Sequence, residues 1–394
     1  MNNLLSEKDC EKVLFNNIKT SVKIVSYEYK KVSEEPLGYL GEHLFLHITY
    51  INEEEDKKIV YFVKCLPQSN KEQQTIVAAL GIIQKEGALY EKLLSKLQNL
   101  VSKQFCPELF LAKPDVLVME NLQTKGYKMC QDFYLDQTKI CSVLNTLARI
   151  HAACIVLEEK QRCSLIDDLA LELTEYLNYY RHAHVRYEWF KASTICVAKV
   201  ANYFTKRTDL EEKMLQYFEN VLPGIDSIDS NIRNVLLHGD LWNNNLLFDE
   251  KNECVFVDFQ SAKYGPPASD FWDCLFYNLE YDGIHNHLEY FINYYYDKLG
   301  SELDLNNLDV KQVLPMDDFL KTLSVYKQPV LLKVCVCLSY VSPNTFNQSM
   351  MNNKDVYDEF NFGDRSKFLL KVFETDKQYE CKLKSLIVPL ANMF

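Results

Sequence analysis

The sequence predicts an α+β chain: a small antiparallel β-rich lobe with one key helix, followed by a larger, mainly helical lobe. Three observations carry this. Runs of β-branched and aromatic residues separated by polar turns fill the first third, apolar residues recur at helical spacing from about 137 to 222 and again after 270, and a short β-like interval at 235–259 interrupts the helical part. At roughly 100–200 residues per domain, 394 residues make two or three packed units. Hydrophobic residues at 47% and charged residues at 25% lie in the globular range, and only 11 glycines and 11 prolines exclude collagenous and low-complexity chains.

In chain order, His43–Tyr50 and Ile59–Cys65 flank the polar stretch INEEEDKK, which predicts a hairpin. Thr75–Leu97 places apolar residues at 76, 80, 83, 90, 94 and 97, a helical period. Leu109–Ala112 and Val116–Met119 flank Pro114–Asp115, a second hairpin. After Glu120-Asn121-Leu122 the texture turns helical, and Pro223-Gly224 closes that run. The expected organisation is therefore residues 1–120 as the sheet lobe and 121–394 as the helical lobe, with a hinge near 120–122.

The formal net charge of −12 and the lack of any Lys/Arg-rich run argue against nucleic acid as a partner. A polyphosphate ligand must then be held by a few local cations or a metal. Thirteen scattered cysteines, with no C-x-x-C pair, fit neither a disulfide framework nor a zinc site and predict the reducing cytoplasm. The N-terminus lacks a signal-peptide pattern. The longest apolar stretch read from the sequence, Pro329–Val341, is interrupted by Lys333 and too short to span a bilayer, so no membrane partner is expected.

The most informative segment is LLHGDLWNNNLLFDEKNECVFVDFQ, residues 236–260, with the spacing H-G-D-x-x-x-x-N over His238, Gly239, Asp240 and Asn245. Two short strands around the turn Asp249–Asn252 follow. A tight hairpin with Glu250 facing Glu253 would put Asn245 opposite Asp258, Cα atoms roughly 4.5–5.5 Å apart. An amide and a carboxylate side by side are ligands suited to Mg²⁺, with water and phosphate oxygens completing the shell. Asp240, in the loop feeding that end, is placed to accept a proton from a substrate hydroxyl. Singly, such residues are ordinary turn and surface groups; the joint spacing makes them a candidate site.

A second constellation stands apart from the first. Lys64 ends a strand on the same side as Val60 and Phe62, since strand side chains alternate. Glu86 lies on the apolar stripe of its helix, where a carboxylate is costly unless paired. Lys64 is the partner expected for it; the bland reading is a snorkelling glutamate and an ordinary edge lysine.

Lys64, Glu86, His238-Gly239-Asp240, Asn245 and Asp258-Phe259-Gln260, in this order, resemble the kinase-like phosphotransferases of the aminoglycoside phosphotransferase and choline kinase group. FVKCLP at 62–67, Glu86 with Tyr90, MENL at 119–122, LARIHAAC at 147–154 and LLHGDLWNNNLLF running into VDFQ resemble the ecdysteroid kinase-like (CHK kinase-like) family, over about residues 35–345. The resemblance implies a bilobal protein-kinase-like fold, ATP and Mg²⁺ as cofactors, Asp240 as catalytic base, Asn245 and Asp258 as metal ligands, and Lys64 with Glu86 as the phosphate-holding pair. It further implies that the backbone of Glu120–Leu122 binds adenine, that His238 is structural, and that Asp270 steadies the catalytic loop as a helix-capping acid.

The chain departs from protein kinases in places. The turn PLGYLGEH carries only Gly38 and Gly41 in place of a G-x-G-x-x-G, and Asp258 to Asp270 leaves no room for a long activation segment. That favours a small-molecule acceptor: a steroid-like or xenobiotic alcohol, with an amino alcohol of the choline or ethanolamine type, or a non-catalytic pseudokinase module, as alternatives. His182-x-His184 and His285-x-His287 are expected to be surface histidines, because positions two apart on a helix diverge. The aromatic stretches 176–190 and 288–299 read mostly as packing.

Overall fold

The computed structural model describes residues 4–33, 41–68, 80–167, 184–221, 231–341 and 354–394, with 74, 75, 77, 78 and 169 besides. The first part contains α1 (Glu7–Ile18), β1 (Lys23–Lys31), β2 (Glu42–Asn52), β3 (Glu55–Cys65), α2 (Ile82–Leu89), β4 (Leu109–Lys113), β5 (Val116–Met119) and β6 (Lys128–Met129). There follow α3 (Gln137–Gln161), α4 (His184–Thr205), α5 (Leu210–Asn220), β7 (Val235–Leu237), β8 (Leu246–Phe248), β9 (Cys254–Phe256) and β10 (Lys263–Gly265). The rest is helical: α6 (Ala268–Asn278), α7 (Tyr281–Asp304), α8 (Met316–Tyr340), α9 (Lys354–Phe362), α10 (Ser366–Thr375) and α11 (Lys377–Ala391). The fold is thus α+β, with an antiparallel sheet first and a mostly helical remainder.

The chain forms two compact units, Met1–Cys130 with Asn244–Gln260, and Gln131–Asn243 with Ser261–Phe394. In the first, five antiparallel strands run in the order β1-β2-β3-β5-β4. Strand alternation sends Leu44, Leu46, Ile48, Tyr61, Val63 and Cys65 to one face, where Cys10, Val13 and Leu14 of α1 complete an apolar core. Lys64 therefore points to the other face. The β2–β3 loop turns on Glu53 and Glu54, both left-handed at φ 52° and 64°, the geometry a two-residue hairpin turn requires.

Two elements precede the first hairpin expected. Helix α1 has a capping box, Ser6 Oγ accepting from the Asp9 amide and Asp9 Oδ2 from the Ser6 amide, but it buries only three residues and shows little apolar period. Strand β1 is an edge, KIVSYEYKK, whose charges mask its alternation. The expected helix over 75–97 is interrupted at Gly81, left-handed at φ 62°, beyond which α2 runs into a π-turn at Tyr90–Leu94. Left-handed backbone suits glycine and ends a helix. Strands β6, β8 and β9 form a small separate sheet.

In the second unit α3 packs along α7 and against α6, and α6 packs on α8. Among the described residues, helix α3, and not Pro329–Val341, is the segment whose length and composition match a membrane span. Of its most apolar window, 83% is buried inside the protein, which marks it as a core helix.

Candidate active site

The site residues of the first unit centre on Lys64. Its Nζ lies 2.6 Å from Glu86 Oε2, 2.7 Å from Asp258 Oδ1 and 3.3 Å from Gln260 Oε1. Lys64 and Glu86 are buried, and the Asp258 side chain is a quarter exposed. Glu86 reaches the lysine because α2 lies directly on the sheet at Gly87, where a Cβ would stand 2.9 Å from Leu117 Cδ2 and 3.2 Å from Ala112 Cβ. Glu86 Oε1 also accepts from the Phe259 amide at 3.0 Å, Lys85 Nζ donates to the Gln260 carbonyl at 3.2 Å, and Tyr90 meets Phe259 edge-on at 5.9 Å. The segment Asp258–Gln260 is thereby fastened to α2 by polar and aromatic contacts together.

Burial alone would push the Lys64 ammonium toward neutrality, but the charges of Asp258 and Glu86 outweigh it and its pKa is raised. Burial raises the Glu86 carboxyl, with Lys64 opposing. A lysine between two carboxylates is held charged.

The hairpin register corrects the sequence expectation. Leu246 faces Phe256, Leu247 Val255 and Phe248 Cys254, so Asn245 stands opposite Val257, whose amide donates to the Asn245 carbonyl at 3.0 Å. The loop has three residues, not two. Asp249 Oδ1 accepts from the Lys251 and Glu253 amides, and Asn252 takes the left-handed conformation at φ 60°. Asp258 follows immediately, itself left-handed at φ 67°, so its carboxylate leaves the strand's alternation to meet Lys64.

At the expected hinge, the Glu120 amide donates to the Glu108 carbonyl, and its carboxylate binds Gln104 Nε2, the Glu108 amide and Lys125. Asn121 caps the turn Leu122–Lys125, and Leu122 is buried. Any role of Glu120 toward a nucleotide therefore belongs to its backbone. Gly38 lies outside the described residues; a Cβ on Gly41 would lie 3.6 Å from the Lys64 stem.

Asp240 belongs to the second unit, joined to Asn245 by five steps of chain. Its loop is pinned residue by residue. The His238 and Gly239 amides donate to Asp270 Oδ2 and Oδ1 at 2.6 and 2.9 Å, the Asp240 amide to His238 Nδ1 at 3.3 Å, and the Leu241 amide to Asp273 Oδ2 at 2.9 Å. Asp270 sits in the first turn of α6 and serves the loop, not a helix end as expected of a capping acid. Burial raises its carboxyl, but His151 and His238 outweigh burial and its pKa is lowered. His151 in turn is held by Tyr295 OH at 2.7 Å from Nδ1.

Sequence reasoning missed Asp273 and Lys333. Two carboxylates three apart in the apolar helix SDFWDC, and a lone cation within PVLLKVCVC, were the available signals. His285 and His287 are exposed on α7, and His182 lies outside the described residues. Among the described residues no cluster of three His, Cys, Asp or Glu has metal-binding geometry.

The ecdysteroid kinase-like family model matches residues 38–308, well over half of the chain. The chain belongs to the ecdysteroid kinase-like family. It is thereby placed among the small-molecule kinase-like phosphotransferases. The match includes Lys64, Glu86, Asp240, Asn245 and Asp258 and ends before Lys333. Among solved structures, the chain is similar to the Plasmodium vivax ethanolamine kinase at 12% identity, covering 93% of this chain and 83% of that one with a TM-score of 0.45. It is also similar to an aminoglycoside phosphotransferase in complex with gentamicin, at 14% identity, 98% of both chains and a TM-score of 0.40. A choline kinase from Streptococcus pneumoniae matches at 13% identity, 80% of this chain and 99% of that one, with a TM-score of 0.34. No curated protein matches the chain.

Proposed function

We propose that this member of the family is an active ATP- and Mg²⁺-dependent kinase that transfers the γ-phosphate to a hydroxyl of a steroid-like or xenobiotic alcohol. The observation that carries the proposal is the buried Lys64 shared between Glu86 and Asp258. Burying Lys64 and Glu86 beside a largely covered Asp258 costs several kcal/mol that apolar side chains would avoid, so their presence supports a binding task for an anion. Lys64 would meet α- and β-phosphate oxygens, Glu86 would orient Lys64, and the Glu120–Leu122 backbone would take the adenine edge.

Asn245 and Asp258 fit Mg²⁺ by donor chemistry: one amide and one carboxylate, with phosphate and water oxygens completing the shell, as expected where the described residues form no all-protein cage. When bound, the ion would supply charge neutralisation between phosphates. Asp240 would accept the hydrogen bond of the attacking hydroxyl and take its proton as the new P–O bond forms and the bond from the γ-phosphorus to the bridging oxygen breaks, releasing ADP. The residues on either side of it are held by Asp270 at the Gly239 amide and by Asp273 at the Leu241 amide.

Among the described residues, the charges acting on Lys333, Tyr277 and Cys337 include Asp240, and Asp273 is already paired with Lys333. One cation, a phenol and a thiol around the base support an uncharged acceptor over an amino alcohol. All thirteen cysteines are free thiols, which supports a reducing, cytoplasmic setting. The test is a screen of sterols, small alcohols and plant glycosides with labelled ATP, run beside Asp240→Asn. Transfer should fall by roughly 10²–10⁴ in the variant, with Mg·ATP binding retained. Undiminished turnover removes Asp240 from the role.

A further inference from the structure

Lys333, on α8, lies beyond the segment matched by the family and has no assigned task. Its side chain is three-quarters buried; Nζ lies 2.7 Å from Asp273 Oδ1, donates to the Gly239 carbonyl, and stands 5.8 Å from the centre of the Tyr277 ring. That carbonyl belongs to the peptide joining Gly239 to Asp240, whose N–H donates to His238 Nδ1. The peptide is therefore held at both ends.

Asp273 closes the circuit, since its other oxygen accepts from the Leu241 amide while the first binds Lys333. Gly239 is left-handed and has no side chain, so within the loop His238 holds this peptide, at its N–H, and the carbonyl end is held by Lys333. Among the described residues, the charged and titratable groups facing the position come from three elements: Lys333 and Cys337 on α8, Tyr277, Asp273 and Asp270 on α6, and His238 in the loop. Burial disfavours the Lys333 ammonium, but the carboxylates of Asp273 and Asp240 more than offset that, so it remains a cation.

We propose that Lys333 is a positioning residue for Asp240: it fixes the Gly239–Asp240 peptide and holds a permanent positive charge beside the Asp240 carboxylate. Its value to an enzyme rests on the kinase reading, but its test does not. In the full-length chain, the Asp240 carboxyl ¹³C resonance, assigned with Asp240→Asn, is titrated in wild type, Lys333→Met, Lys333→Gln and Lys333→Arg. Loss of the cation should raise the Asp240 midpoint by about one pH unit in Met and Gln, and little in Arg.

Hydrogen exchange at residues 238–241 should speed about tenfold in Met. It should stay closer to wild type in Gln, which can still donate to the Gly239 carbonyl. Should Met not fold, the Gln titration decides the proposal. An unmoved midpoint together with unchanged exchange overturns the proposal. Both readouts need no acceptor, so a negative result here is distinct from failure of the phosphotransfer screen.

Discussion

Gly239→Ala is the sharpest perturbation available near the proposed base. Gly239 has φ 76°, and a Cβ there would stand 2.6 Å from the Ser261 carbonyl oxygen, a backbone atom that cannot swing aside. Two costs combine. Left-handed backbone costs a non-glycine residue about 1–2 kcal/mol, and forcing a methyl into a packed site costs about 1–3 kcal/mol. A stiffer unfolded chain returns about 0.4–1 kcal/mol. The net expectation is a loss of about 1–4.6 kcal/mol, centred near 3. Gly126→Ala is the matched control: its φ is 88°, yet nothing lies within 4 Å of the added methyl, so only the conformational cost applies, about 1 kcal/mol. Urea unfolding followed by tryptophan fluorescence, with hydrogen exchange at 236–241 to locate the effect, separates the two. Equal losses in both variants would refute the contact argument and leave backbone conformation as the whole effect.

Other outcomes follow from the same geometry. Glu86→Ala should cost about 3 kcal/mol in denaturant unfolding, the lower end for breaking a buried ion pair, because Asp258 still accepts from Lys64; a neutral result would remove the pair from the stability of the sheet unit. Asp258→Ala should weaken nucleotide binding in Mg²⁺ more than in EDTA by calorimetry, and an unchanged difference would count against its place as a metal ligand. Tyr90 has a buried hydroxyl without a partner among the described residues, so Tyr90→Phe should be neutral or stabilising by up to about 1 kcal/mol in melting experiments. Asp270 has a lowered pKa in the fold, so its stabilisation is complete above the unfolded value near 3.8 and is lost as pH falls through the folded one. The stability gap between wild type and Asp270→Asn should therefore be full at pH 6 and shrink below pH 4; a gap constant with pH would contradict the assignment.

What the sequence disclosed and what it concealed have separate physical causes. Alternation at His43–Tyr50 and Ile59–Cys65 sufficed for a hairpin because one face of each strand is buried. The Lys64–Glu86 contact could be anticipated because an acid on an apolar stripe demands a partner. The register at Asn245 could not, since both a two- and a three-residue loop fit DEKN, and the choice lay in Asp249 bonding two amides and in the left-handed Asn252. Strand β1 and helix α1 were hidden by charges on solvated faces. Lys333 was hidden by its own context, because a single lysine in an apolar run looks like an interruption until the Gly239 carbonyl that it binds is known.

The return of Asn244–Gln260 to the sheet unit bears on how this protein could be dissected. A fragment ending at Cys130 would retain Lys64 and Glu86 while discarding the ribbon that pairs with Lys128–Met129 and the carboxylate that shares the lysine. It would expose an unfilled strand border and an ill-compensated ammonium, two liabilities for solubility. The two units are interleaved in the covalent thread, so a working half has to be rebuilt by grafting the later hairpin onto the earlier sheet through a linker.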